Sequence, residues 1–169
     1  MRVMAYIRGT WDKALWVPRV KGDTWEVFSD SDHAGDRTEI DAKSRTGVMM
    51  LLNGMPVHWR SNKQPVTSIS SAQAEIYAMS ETVRDARLRM WVHEELGGKI
   101  NYPFPILVDN AAGVSFQNAT CPASKLRGIF DIRSQWVQDL TDASTVKAVK
   151  VGTDNNLADM FAKCLSAAV

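Results

Sequence analysis

Cysteine is scarce in this chain: Cys121 and Cys164 are the only two in 169 residues. They form no C-x-x-C pair and have no histidine nearby, so neither a zinc site nor a disulfide framework is suggested and each reads as an ordinary thiol. Long hydrophobic runs are lacking too. The longest, Val48-Met49-Met50-Leu51-Leu52, falls far short of the roughly 18 residues that suggest a membrane span. The opening MRVMAYIRGTW carries basic residues without the continuous apolar stretch or small-residue cleavage site of a secretory signal. The expectation is an intracellular protein with no membrane partner. A net charge of +1 removes the strongly basic signature of some nucleic-acid binders while leaving room for local basic patches. No internal repeat or low-complexity tract is present.

What remains is an ordinary globular composition, 45% hydrophobic and 23% charged, at a length suited to one domain with a real core. The leader, residues 1–20, has Val3, Met4, Ile7 and Trp11 at the spacing of a short amphipathic helix ending near Gly9. Trp25 to Ser31 reads as a strand, followed by a polar loop to Arg45. Gly47–Leu52 and Val57–Arg60 flank Asn53-Gly54, the strongest short hairpin signal, so the first three strands form an antiparallel meander. Ser70 and Gln73 fit a capping box for a helix running to Leu96, with Ile76, Met79, Val83, Ala86 and Met90 at helical spacing and Gly97-Gly98 as the stop. Ile106–Asp109 is a short strand without alternation, as expected when helices cover both faces. Helices over about 110–118 and 129–140, a strand over Val146–Val151 and a last helix over 156–165 complete one mixed α/β layer structure.

Four acids stand out, and three of them, Asp30, Asp109 and Asp159, abut apolar runs and therefore need a partner. Asp30 ends the first strand, Glu75 lies in the opening turns of the long helix, Asp109 ends the short buried strand, and Asp159 stands in Leu157-Ala158-Asp159-Met160-Phe161. Ligands of open α/β sheets gather at the carboxyl ends of strands, so Asp30 and Asp109 face one another if their strands are parallel neighbours. Carboxylates brought together repel and raise one another's pKa values unless a cation sits among them. A hard divalent ion such as magnesium takes oxygen ligands and completes its shell with water and phosphate. Nineteen acidic residues are present, so any one of the four, taken singly, is more simply a surface charge.

The segments Phe28-Ser29-Asp30-Ser31-Asp32, Ser70-Ser71-Ala72-Gln73-Ala74-Glu75-Ile76-Tyr77-Ala78, Val108-Asp109-Asn110 and Asn156-Leu157-Ala158-Asp159-Met160-Phe161-Ala162-Lys163 resemble the four successive signature blocks of the ribonuclease H domain of copia-type (LTR) retrotransposon Pol polyproteins. The leader, with Tyr6-Ile7-Arg8-Gly9-Thr10, resembles the end of the preceding reverse transcriptase region, leaving residues 21–169 as the ribonuclease H-like domain. The resemblance implies a ribonuclease H-like fold, a five-stranded mixed sheet with helices on both faces. It implies a metal-dependent endonuclease that cuts the RNA strand of RNA–DNA hybrids during reverse transcription. Asp30, Glu75, Asp109 and Asp159 would bind two Mg2+ ions, for which Mn2+ substitutes, and Ser31, Ser71, Gln73 and Asn110 would touch nucleic acid. The implied partners are the hybrid and the reverse transcriptase region. The implied state is a monomer in a cytoplasmic virus-like particle or the nucleus.

Departures from that pattern support a second reading, a catalytically silent nucleic-acid-binding or scaffold remnant. His33 stands where many copia-type sequences have tryptophan, Gln135 lies near the place of a family histidine, and the terminal lysine-proline-leucine is Lys163-Cys164-Leu165. Several features have plainer explanations. The loop from Asp30 to Asp41 partly imitates an EF-hand, but Trp25–Phe28 reads as strand where an EF-hand needs helix. Ser70 and Ser71 lack a nucleophile-elbow turn and serve as caps. His58 and His93 read as structural or surface residues. Arg84, Arg87 and Arg89 interleave with Glu81, Asp85 and Glu94 as ordinary helical pairs, leaving the loop residues Lys43, Arg45, Lys125 and Arg127 as better phosphate contacts. Trp59, Trp91 and Trp136 are expected to pack in core or interface, with Trp25 and Trp59 on one sheet face.

Overall fold

Asn53 and Gly54 both take positive φ, 54° and 75°, the conformation a two-residue hairpin needs to match strand twist. They join β2 (Arg45–Leu52) to β3 (Met55–Lys63). β1 (Trp25–Asp32) pairs antiparallel with β2, setting Trp25 opposite Leu52 and Asp30 opposite Gly47. The chain then enters α2 (Ser71–Glu95), crosses to β4 (Phe104–Val108) and continues through α3 (Ile132–Asp142) to β5 (Val146–Lys150) and the single turn α4 (Asp159–Ala162). A leading helix, α1 (Arg2–Thr10), keeps Val3, Met4 and Ile7 exposed. The structure, a computed structural model, describes residues 2–15, 17, 19, 21–33, 42–111, 114–115 and 132–163.

The sheet order is β3-β2-β1-β4-β5, with β1, β4 and β5 parallel and β2 and β3 antiparallel to their neighbours. This is the expected five-stranded mixed sheet. Strand periodicity of two divides its side chains between two cores. Val27, Val48, Met50, Ile106, Val108 and Val146 pack with Met79, Val83, Ala86 and Met90 of α2 and Val137 of α3. Phe28, Met49 and Leu51, with Leu107, pack on the other face against Leu157, Ala158 and Phe161. Helices α2 and α3 therefore cover one face, and α4 with the turn leading into it covers the other.

Ser70 caps α2 as its sequence suggests: its hydroxyl accepts from Gln73 N at 3.2 Å. The Gln73 side chain reaches back to Ile69 N at 2.7 Å rather than to the cap residue itself. From Ala74 to Ser80 every residue of α2 is buried, and beyond Val83 only single positions are. The helix thus enters deep in the molecule and emerges along its surface.

Three expectations need correction. The last helix does not fill 156–165: Thr153–Asn155 form a 3-10 turn and α4 lasts four residues, because Asn156 bonds into the sheet instead of propagating a helix. β3 extends beyond Val57–Arg60 in both directions, to Met55 and Lys63, its end residues being paired with β2. Trp25 and Trp59 occupy opposite faces, since Trp59 pairs with Met49 of the second core, and Trp59 and Trp91 are 53% and 59% exposed. Trp136 does pack against the main core. The start of the third helix at 129, most of the expected 110–118 helix, and Lys125 and Arg127 lie outside the described residues.

Candidate active site

Parallel pairing of β1 with β4 sets Val27 beside Ile106 and Phe28 beside Leu107. Asp30 and Asp109 each stand two residues further on, so one register brings both to the same carboxyl edge of the sheet. Asp159 comes from the first residue of α4. Carboxylate oxygens of Asp30, Asp109 and Asp159 lie within 4.8 Å of one another.

Two sequence features place α4 that close. Asn156, 4% exposed, donates from Nδ2 to Ser29 O at 3.1 Å and accepts from Ala158 N at 3.2 Å, fastening the approach to α4 onto β1. Opposite Asp30 in β2 is Gly47, where a Cβ would stand 2.3 Å from Ala158 O and 2.7 Å from Ala162 N. A side chain there would hold the backbone of α4 away from the sheet, and Asp159 with it.

Glu75 is the fourth acid, 9% exposed in α2. Its segment is anchored from two sides. Gln64, 1% exposed, donates to Ala74 O at 2.9 Å and to Thr46 Oγ1 at 3.2 Å, while Thr82 donates to Ser29 Oγ at 3.0 Å. Burial, then the Asp30 charge, pushes the Glu75 carboxyl up to about 8, with Asp109 adding to the rise. The Ser31 hydroxyl beside it, buried and without a well-formed hydrogen bond of its own, offsets part of that, as does Lys163. Asp30, 1% exposed, is raised to about 6, chiefly by burial; Lys163 opposes the rise, and Asp109 and Asp159 reinforce it.

The donor set fits a hard divalent ion. It is all oxygen, it concentrates negative charge, and Asp30 Oδ2 is buried without a hydrogen-bond partner, a cost that coordination would remove. Among the described residues one cation stands at the cluster: Lys163 Nζ is 3.6 Å from Asp30 Oδ2 and hydrogen-bonds Asp159 Oδ1.

The four acids expected from the sequence are thus brought to one edge, three in a tight group and Glu75 adjoining. Ser31 and Asn110 directly follow Asp30 and Asp109, and Ser71 and Gln73 lie in the first turn of α2, where the Gln73 side chain is engaged in capping. Sequence reasoning missed Gly47, Gln64, Asn156 and the position of Lys163; only the i, i+4 spacing of Asp159 and Lys163 was legible. It also missed a polar cavity of about 340 Å3, lined by Arg60, Lys63, Arg84, Arg133, Glu81 and Tyr77 among others. Arg84 pairs with Glu81 at 2.7 Å as expected of helical neighbours and still faces this cavity. The Arg133 guanidinium lies 4.5 Å over the Tyr77 ring.

The histidines are occupied away from the cluster's centre. His93 bonds Asp23 at 2.8 Å, His58 lies between Asp85 and Arg89, and His33 Nε2 is 3.1 Å from Ser68 O. Gln135 donates to Asp139 on α3.

Comparison with known proteins bears directly on this arrangement. The chain is 28% identical over 166 residues to the retrovirus-related Pol polyprotein from transposon TNT 1-94 of Nicotiana tabacum, covering 95% of this chain and 12% of that protein. It is 27% identical over 165 residues to the Pol polyprotein from transposon RE2 of Arabidopsis thaliana, covering 98% of this chain and 11% of the relative. The chain is a homologue of retrotransposon Pol polyproteins. It spans about a tenth of the length of these curated relatives, and no protein-family model matches it. The structure superposes on LC11-RNase H1, solved in complex with an RNA/DNA hybrid, with a TM-score of 0.57, 14% identity, and coverage of 82% of this chain and 93% of that one. This Pol homologue therefore has the ribonuclease H-like fold.

Proposed function

We propose that this chain is a ribonuclease H domain, residues 21–169, that hydrolyses the RNA strand of RNA–DNA hybrids, with residues 1–20 the end of a reverse transcriptase region. The observation that carries the reading is the meeting of Asp30, Asp109 and Asp159 within 4.8 Å at the carboxyl edge of a ribonuclease H-like sheet. In this reading those three residues and Glu75 hold two Mg2+ ions, or Mn2+ in their place. Bound there, the ions supply Lewis-acid stabilisation of an in-line phosphoryl displacement.

The chain's own groups do the rest. Asp30 and Asp109, fixed on neighbouring strands, set the spacing of the ligands. Glu75, raised to about 8, stays largely protonated at neutral pH in the metal-free protein and would ionise as a ligand. Arg60, Lys63, Arg84 and Arg133 offer a cationic cavity to a backbone phosphate away from the cut. Ser31, Ser71, Gln73 and Asn110 are proposed to touch the hybrid, distinguishing RNA through its 2′-hydroxyls.

A labelled RNA–DNA hybrid incubated with the domain, with and without Mg2+, tests this. RNA cleavage only in the presence of metal is the expected result. Binding without cleavage in either Mg2+ or Mn2+ selects the silent-remnant reading instead, which is favoured by one observation: Gln135, near the place of the family's histidine, is tied to Asp139.

A further inference from the structure

Lys163 follows the last residue of α4 and is returned by one helical turn onto Asp159. Its ammonium hydrogen-bonds Asp159 and stands 3.6 Å from the Asp30 oxygen that has no hydrogen-bond partner. The two sides of this contact differ in freedom. The Lys163 side chain is 41% exposed and that of Asp30 only 2%, so the ammonium can leave for water while the carboxylate cannot follow. A surface i, i+4 pair with Asp159 alone would be an ordinary, nearly neutral contact. The reach to a buried and otherwise unpartnered carboxylate oxygen is what sets Lys163 apart.

Resting on the functional reading above, we propose that Lys163 is a built-in counter-cation of the acidic cluster, occupying the space between Asp30 and Asp159 and competing there with a divalent ion. Like charges cannot share that space without mutual repulsion. Entry of the ion therefore requires the ammonium to swing outward. The residue then acts as a positioning group that sets the concentration at which the site fills, and guards the fold against the repulsion of an empty cluster.

Titration calorimetry of the full chain with Mn2+, and separately with Mg2+, is the test, using the unmodified protein, K163M, K163R and D30N. Expected is an affinity about tenfold tighter in K163M, equivalent to about 1.4 kcal/mol, with K163R close to the unmodified protein. In the absence of metal, K163M should melt lower, and saturating metal should raise its Tm by more than it raises that of the unmodified protein. An unchanged or weaker affinity in K163M, while the unmodified protein binds and D30N does not, overturns the counter-cation role and leaves the site intact. Failure of both the unmodified protein and K163M to bind at millimolar metal overturns the site itself, and this role with it.

Discussion

β1 and β4 begin and end in opposite ways. At their amino ends the first residues are Trp25 and Phe104, 8% and 1% exposed and part of the main core. Here His93 packs edge-on to Trp25 at a centroid separation of 5.6 Å and bonds Asp23. At the carboxyl ends the same two strands lead into Asp30 and Asp109, and at Asp30 burial opposes charge. One end stabilises by removing apolar area from water. The other costs stability and is held in place by hydrogen bonds from Gln64, Thr82 and Asn156. Strain of this kind at one edge of an otherwise consistent fold is the signature of a site.

The contrast is sharpest under substitution. Phe104→Ala should destabilise the fold by about 3–5 kcal/mol, read as a shift in denaturant midpoint, while cleavage per folded molecule and its metal dependence persist. Asp30→Asn should do the reverse: hybrid cleavage falls by about a hundred- to a thousandfold, and the metal-free melting temperature holds or rises because a buried, repelled charge is gone. Asp109→Asn should match it in activity. Substitutions with equal effects at both ends would erase the distinction.

Gly47→Ala probes the seam between α4 and the sheet. The added methyl meets backbone rather than a flexible side chain, so a loss of about 1–3 kcal/mol is expected, together with weaker metal binding as Asp159 moves outward. Calorimetry with Mn2+ reads both.

A pH series on the metal-free protein follows from Asp30 at about 6 and Glu75 at about 8, against ordinary values of 3.8 and 4.5. A carboxyl raised in the native state favours folding only while protonated. Its contribution is present below about pH 4 and is lost as pH rises through the native values. The melting temperature should fall by about a few degrees between pH 5 and 8.5, and Glu75→Gln or added Mg2+ should flatten the slope. A flat profile in the unmodified, metal-free protein would count against the buried cluster. The smallest effect is expected at Ser70→Ala, about 1 kcal/mol for loss of the cap, and a sharper fall would mean that Ser70 does more than cap α2.

Much of the fold was legible because local rules act over short distances. Asn53-Gly54 specified the hairpin, and Ser70 and Gln73 the start of α2. The last helix was misread because its apolar pattern, Leu157, Ala158 and Phe161, suits a helix, while Asn156 has a stronger partner in Ser29 O, 127 residues away in sequence. Trp59 was placed on the wrong face because strand faces follow from register, and exposure of single apolar side chains such as Trp59 and Trp91 carries no sequence signal.

The sequence by itself determined the element order, the hairpin turn, the capped entry of α2 and the identity of four acids in blocks that resemble those of copia-type domains. These follow from backbone propensity, side-chain period and residue type. Only the tertiary structure decided that three of those acids meet within 4.8 Å, that Gly47 admits α4 to the sheet, and that Lys163 reaches Asp30. Each depends on parallel pairing and packing between segments far apart in the chain, and charge repulsion or steric exclusion acts only once folding has brought them together.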